Sequence, residues 1–131
     1  MGGHPYQYVE DYDPDTQAAL ERLRGDVFRQ GKYYGADQKP ATPQDAVKLA
    51  GETGTRSILD IAKVKSRPDY CCVAPLTQQE LTRYFGTITP TVGQVEESDE
   101  FWEDLERGKA RCLEVLDNNA RKLFFAGYSF D

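Results

Sequence analysis

The stretch that most constrains the fold is the C-terminal one, "RKLFFAGYSFD", Arg121 to Asp131. Side chains along a strand point alternately to opposite faces. Leu123, Phe125 and Gly127 then share one face, and Phe124, Ala126, Tyr128 and Phe130 share the other. A strand at a sheet surface is apolar on one side only. This one is apolar on both, so it belongs inside a sheet and its second face needs a cover, from this chain or from another.

The rest of the pattern supplies the partners of that strand. "YQYVEDY" (Tyr6–Tyr12) reads as a first strand, rich in Tyr and Val. Asp13 is placed to cap a helix with Pro14 in its first turn, Leu20, Leu23 and Val27 as its inner stripe and Gly31 as its end. Thr42, Pro43 and Asp45 open a second helix that Gly54 can close. "TRSILDIAKV" and "YCCVAPL" read as two strands joined by the turn "KSRPD" into a hairpin. Thr77 and Glu80 form a capping box for a third helix ending at Gly86, and Ser98 to Arg107 reads as a fourth, closed by Gly108. "TITPTVGQV" fits a turn of helix after Thr89–Pro90.

For the last hairpin, a three-residue loop of Asp117, Asn118 and Asn119 sets Leu113 opposite Leu123 and Glu114 opposite Lys122. Cross-strand pairs prefer such matches, and a slip by one residue sets Glu114 against Leu123. The expected fold is therefore α+β: one globular domain over residues 1–131, with an antiparallel sheet of about five strands (two hairpins and an N-terminal strand) and about four helices packed on it.

Charge narrows the function classes. The chain carries a net charge of −6, and "EESDEFWEDLER" (Glu96–Arg107), with seven carboxylates and one arginine, accounts for all of it. A local acidic patch repels phosphate backbones, so nucleic acid is not an expected partner. It can steer a basic protein instead. No apolar run approaches a membrane span, and the start "MGGHPY" fits neither a signal peptide nor a myristoylation site. The expected location is cytoplasmic, in keeping with three cysteines, Cys71, Cys72 and Cys112, read as reduced and mostly packed.

No motif assembles a catalytic, cofactor or metal site. "GETGTRS" follows a helix rather than preceding one, so it reads as helix termination, not a phosphate loop. Asp11, Asp13 and Asp15 have calcium-loop spacing, but Thr16 and Arg22 stand where the loop needs glycine and glutamate. His4 is the one histidine and lies far from the cysteines.

Two surfaces remain. The acidic helix offers Glu96, Glu100, Glu103 and Asp104, opposite the apolar arc of Phe101, Trp102 and Leu105. The terminal strand offers Phe124, Tyr128 and Phe130. Together they point to a small interaction protein that binds a basic protein, in the manner of an immunity protein or antitoxin, or that pairs with itself as a homodimer. The alternative is a small-molecule binder or small enzyme with a tyrosine-lined pocket at the loop holding Tyr33 and Tyr34.

Three stretches, "GTRSILDI", "PDYCCVAPLTQQELTRYFGT" and "FFAGYSFD", resemble segments of small bacterial proteins of unknown function. The resemblance implies no activity and no functional residues.

Overall fold

The computed structural model describes residues 3–130. The reading of the first two residues as free of a lipidation signal, and the last residue of the terminal stretch, lie outside the described residues. The sheet has five strands: β1 (Pro5–Asp11), β2 (Lys63–Val64), β3 (Cys72–Pro75), β4 (Ala110–Asp117) and β5 (Ala120–Tyr128). The α-helices are α1 (Thr16–Gln30), α2 (Pro43–Ala50), α3 (Gln78–Phe85), α4 (Val92–Glu97) and α5 (Asp99–Asp104). The class is α+β, with one more helix than expected.

The strand order is β1-β5-β4-β3-β2, so the terminal strand is internal. β5 runs antiparallel to both β1 and β4, whereas β4, β3 and β2 are mutually parallel. Four strands thus run one way and β5 alone runs against them. The sheet is mixed, not antiparallel, and the expected β2–β3 hairpin is a parallel pair.

The reason lies in "TRSILD". Thr55 Oγ1 and Ser57 Oγ lie 2.8 Å apart, and the Asp60 carboxylate accepts from the Thr55 amide at 2.7 Å and from the Thr55 hydroxyl at 2.8 Å. Ser57 caps a short 3-10 turn over Ile58–Asp60. These local bonds compete with a sheet ladder, so Ile58, Leu59 and Ile61 are all buried together rather than alternating. Only Lys63 and Val64 are left to pair with β3.

Both faces of β5 are covered by this chain. On one side Leu123 and Phe125 pack with Leu20, Leu23 and Val27 of α1, Ala46 of α2 and the Ile58–Ile61 segment. On the other, Phe124 and Ala126 pack with Leu81, Val95 and Phe101 of α3, α4 and α5 and with Leu105 just after α5. The double-sided apolar pattern therefore records a central strand between two helical layers.

The β4–β5 register differs from the expected one. Asp117 pairs with Ala120, Glu114 with Leu123 and Leu113 with Phe124. The loop is the two residues Asn118 and Asn119, at φ 51° and 68°. A two-residue turn with both residues at positive φ matches the twist of the flanking strands. Leu123 and Leu113 consequently lie on opposite faces. The charge match survives on a diagonal: Arg121 donates through Nε and Nη2 to the two Glu114 oxygens, each at 2.9 Å. Lys122 turns instead to Asp11 on β1, at 2.7 Å.

Helix starts follow local chemistry, with shifts of one or two residues. Asp15, not Asp13, caps α1, accepting from the Ala18 amide. Pro14 holds the residue before it extended, and Asp13 binds the Asp15 amide at 2.8 Å. Thr42 and Pro43 open α2 as read, but Gly51 ends it and Gly54 closes the 3-10 turn that follows. The capping box at Thr77 and Glu80 is present. Thr91 and Gln94 form another at α4, and Ser98 caps a shorter α5 that stops before Leu105. Gly108, at φ 75°, then turns the chain into β4.

Candidate functional site

Because β1, β3 and β4 are parallel, their carboxyl ends lie on one edge of the sheet. From β1 the chain passes into α1 on one face, and from β3 into α3 on the other. β5 and β4 lie between β1 and β3, so the two connections leave the same edge to opposite faces with the end of the sheet open between them. A cleft of about 340 Å³ lies there.

Strand lengths create it. β3 stops at Pro75, opposite Cys112, and the Leu76 amide makes the last bond to the Cys112 carbonyl at 2.9 Å. β4 runs on to Asp117 and next meets the chain on that side where the Leu116 amide donates to the Pro90 carbonyl at 2.9 Å. The intervening edge, Leu113 and Glu114, faces the cleft. Leu76, Leu81 and Leu113 line it on one face of the sheet and Leu123 on the other, so its apolar floor wraps the open edge of β4. Tyr12, Asp13 and Thr16 reach it from the β1–α1 side, Gln78 from α3, and Thr89 and Glu114 from the opposite wall. Ile88, 48% exposed, stands at the rim.

Arg111 fixes that wall to α3. Its Nε donates to the Ala74 carbonyl at 3.0 Å, and its Nη1 and Nη2 donate to the Glu80 carboxylate at 3.0 and 2.6 Å. Burial alone would raise the Glu80 carboxyl, but the Arg111 fork and the Thr77 amide outweigh it and hold the group low.

The two carboxylates in the cleft are both held ionised. The Arg121 hydrogen bonds hold Glu114 below the usual carboxylate range. The Asp15 amide, then the Arg22 guanidinium at 2.9 Å, does the same for Asp13. Arg121 also lies over the Tyr12 ring, 3.8 Å from its centre. Cys112 is buried at the back, and desolvation pushes its thiol up to about 12. A thiol that stays protonated is a poor nucleophile, and carboxylates held low are poor bases near neutral pH. The arrangement suits binding better than proton transfer.

The residues singled out in the sequence lie elsewhere. Glu96, Glu100, Glu103 and Asp104 are exposed on α4 and α5. Gln7 donates to Glu96 at 2.6 Å, Arg83 pairs with Glu100 at 2.8 Å and with Asp104 at 3.4 Å, and the Tyr84 hydroxyl donates to Asp104 at 2.7 Å. Partial burial, then that bond to Asp104, pushes the Tyr84 hydroxyl up to about 12.

The aromatic surface on β5 is not available as expected. Phe124 is fully buried, with the Trp102 ring edge-on to it at 6.5 Å. Tyr128 is half-buried against the same indole at 6.3 Å, and Phe130 stacks on Tyr70 at 6.4 Å. Tyr33 stacks on Phe28 at 6.0 Å, and Tyr34 is exposed with Arg56 over its ring at 4.3 Å. Neither lines the cleft, whose tyrosine is Tyr12.

The cysteines are free: Cys72 and Cys112 are packed and Cys71 is exposed. No helix among the described residues is long and apolar enough to cross a membrane. Compared with family models, curated proteins and solved structures, the chain matches none.

Sequence reasoning missed the cleft because its lining comes from five separate segments. One local signal was present: two strands each followed within a few residues by a helix cap, at Asp15 and at Thr77.

Proposed function

We propose that this protein binds a small organic ligand in the cleft at the carboxyl ends of β1 and β3, beside the open edge of β4. The observation that carries this reading is the coincidence of a 340 Å³ concavity with an apolar floor and polar groups arriving from both faces of the sheet. That combination is the general form of a small-molecule site, and the volume sits at the low end of its usual range. The ligand is correspondingly small. A fragment library screened against the ¹⁵N-labelled protein tests the reading. Binders should shift the amides of Leu76, Gln78, Thr89 and Glu114. Hits scattered over the surface, with these four amides still, would refute it.

A second reading has its own observation. Glu97, Asp99 and Glu103 are exposed on α4 and α5 and form no ion pair among the described residues. This face would steer a basic protein, as an immunity protein or antitoxin does, by raising the rate of encounter. Reversing Glu97 and Glu103 to lysine should then slow association with a partner captured from the native host, most strongly at low salt. An unchanged rate sinks the reading.

A further inference from the structure

We infer that the cleft selects a small aliphatic amine in its ammonium form; this rests on the proposed binding role of the cleft. The lining includes two carboxylates, Asp13 and Glu114, and no lysine, arginine or histidine. The nearest cations, Arg22 and Arg121, approach those carboxylates from outside the lining. They hold the acids ionised without filling them. Each carboxylate oxygen has two acceptor directions, and each of the four here is described with a single donor.

Two helix starts border the cleft, and helix starts ordinarily favour anions. Here the donors are already taken by the chain. At α1 the Asp15 amide goes to Asp13 and the Ala18 amide to Asp15. At α3 the Thr77 amide goes to Glu80 and the Glu80 amide to Thr77. Three of the four acceptors that satisfy them, Asp13, Asp15 and Glu80, are carboxylates carrying their own negative charge beside any incoming anion. A phosphate or carboxylate would meet Asp13 and Glu114 with few free amides to offset them.

The apolar floor sets the rest of the ligand. Leu123, on the face of the sheet that also carries Glu114, and Leu76, Leu81 and Leu113 around the β4 edge offer hydrocarbon contact but no directional bond, so a short alkyl chain suits this lining while its charged end takes the carboxylates. Thr16, Gln78 and Thr89 can accept the remaining ammonium protons.

The test uses the full chain, ¹⁵N-labelled, titrated at fixed ionic strength with n-butylammonium, n-butanol and butyrate. Butylammonium should move the Leu76, Gln78 and Glu114 amides saturably, and more tightly than butanol. Butyrate should leave them in place. Glu114→Gln should weaken butylammonium by about tenfold or more, the usual loss of a hydrogen bond to a charged group, and leave butanol unchanged. If that variant does not fold, Asp13→Asn takes its place. Butyrate or butanol binding as tightly as butylammonium, or indifference to the charge-removing variant, overturns the amine assignment while leaving the cleft as a binding site. If none of the three probes moves the cleft amides, the binding role itself fails.

Discussion

A side chain on Gly54 would collide with Asp60: a β-carbon built there stands 2.5 Å from Asp60 Oδ2. The Gly54 backbone, at φ 72° and ψ 179°, also lies in a region essentially restricted to glycine. The two residues thus define the loop that replaces the expected strand. Gly54→Ala should destabilise by roughly 2 kcal/mol or more, combining backbone strain with a contact that the buried carboxylate cannot relieve. Urea unfolding measures it. A loss under about 0.5 kcal/mol would mean that the loop accommodates a side chain by another route.

Asp60 also sets a pH dependence. Desolvation raises its carboxyl above the ordinary value, against the opposing bonds from Thr55 and the Arg56 amide and the attraction of Arg24. A group with a raised folded-state pKa binds more protons in the native than in the unfolded chain. Stability from Asp60 is therefore highest below the unfolded value and declines as pH rises through the window up to the folded one. Glu114 and Glu80, both held low, act in the opposite sense. The difference in unfolding free energy between wild type and Asp60→Asn should shift against wild type as pH rises from about 3 to 7. A difference that stays flat, or that moves in favour of wild type, contradicts the assignment.

The two neighbours Phe124 and Phe125 should be equally costly to remove. Both are fully buried, one in each helical layer. Each change to alanine should lose roughly 3–5 kcal/mol. Phe124→Ala should in addition alter the Trp102 fluorescence of the folded protein, since the indole packs edge-on to that ring. If Phe124→Ala were nearly silent, the second face of β5 would have to be open rather than covered by α3 to α5.

How much of this the sequence showed depends on how local each signal is. Caps at Thr42 and Thr77 concern three or four adjacent residues and stand where the sequence places them, while the one read at Asp13 falls two residues on, at Asp15. The stripe of Leu20, Leu23 and Val27 is likewise intact and buried. The centrality of β5 was legible because both of its faces are apolar. Strand direction was not, because β3 and β4 become parallel through a crossover of three helices that no single residue announces. The hairpin reading of "TRSILDIAKV" failed for a different reason. Thr55, Ser57 and Asp60 bind one another in the loop, a tertiary choice that overrides the strand propensity of the isoleucines. The cleft needs all five of its segments in place before it exists, so only its two helix starts could be seen in advance.

The turn between β4 and β5 offers the sharpest test of register. In the three-residue loop that the charge pairing suggests, Asn119 alone has positive φ and position 118 is an ordinary one that alanine fills without strain. In the observed two-residue turn Asn118 and Asn119 are both left-handed, at φ 51° and 68°. Forcing a β-carbon without asparagine's local hydrogen bonding into that region costs roughly 1–2 kcal/mol. Asn118→Ala should therefore destabilise by about that amount, and Asn119→Ala by a similar one. Asn119→Gly should be neutral or stabilising, because Asn-Gly is the favoured pair for a turn of this kind. Urea midpoints of the three variants decide the matter. Asn118→Ala as stable as wild type, beside a destabilised Asn119→Ala, would restore the longer loop and place Glu114 opposite Lys122. It would also take Glu114 off the diagonal from Arg121, and with it the bidentate pair that walls one side of the cleft.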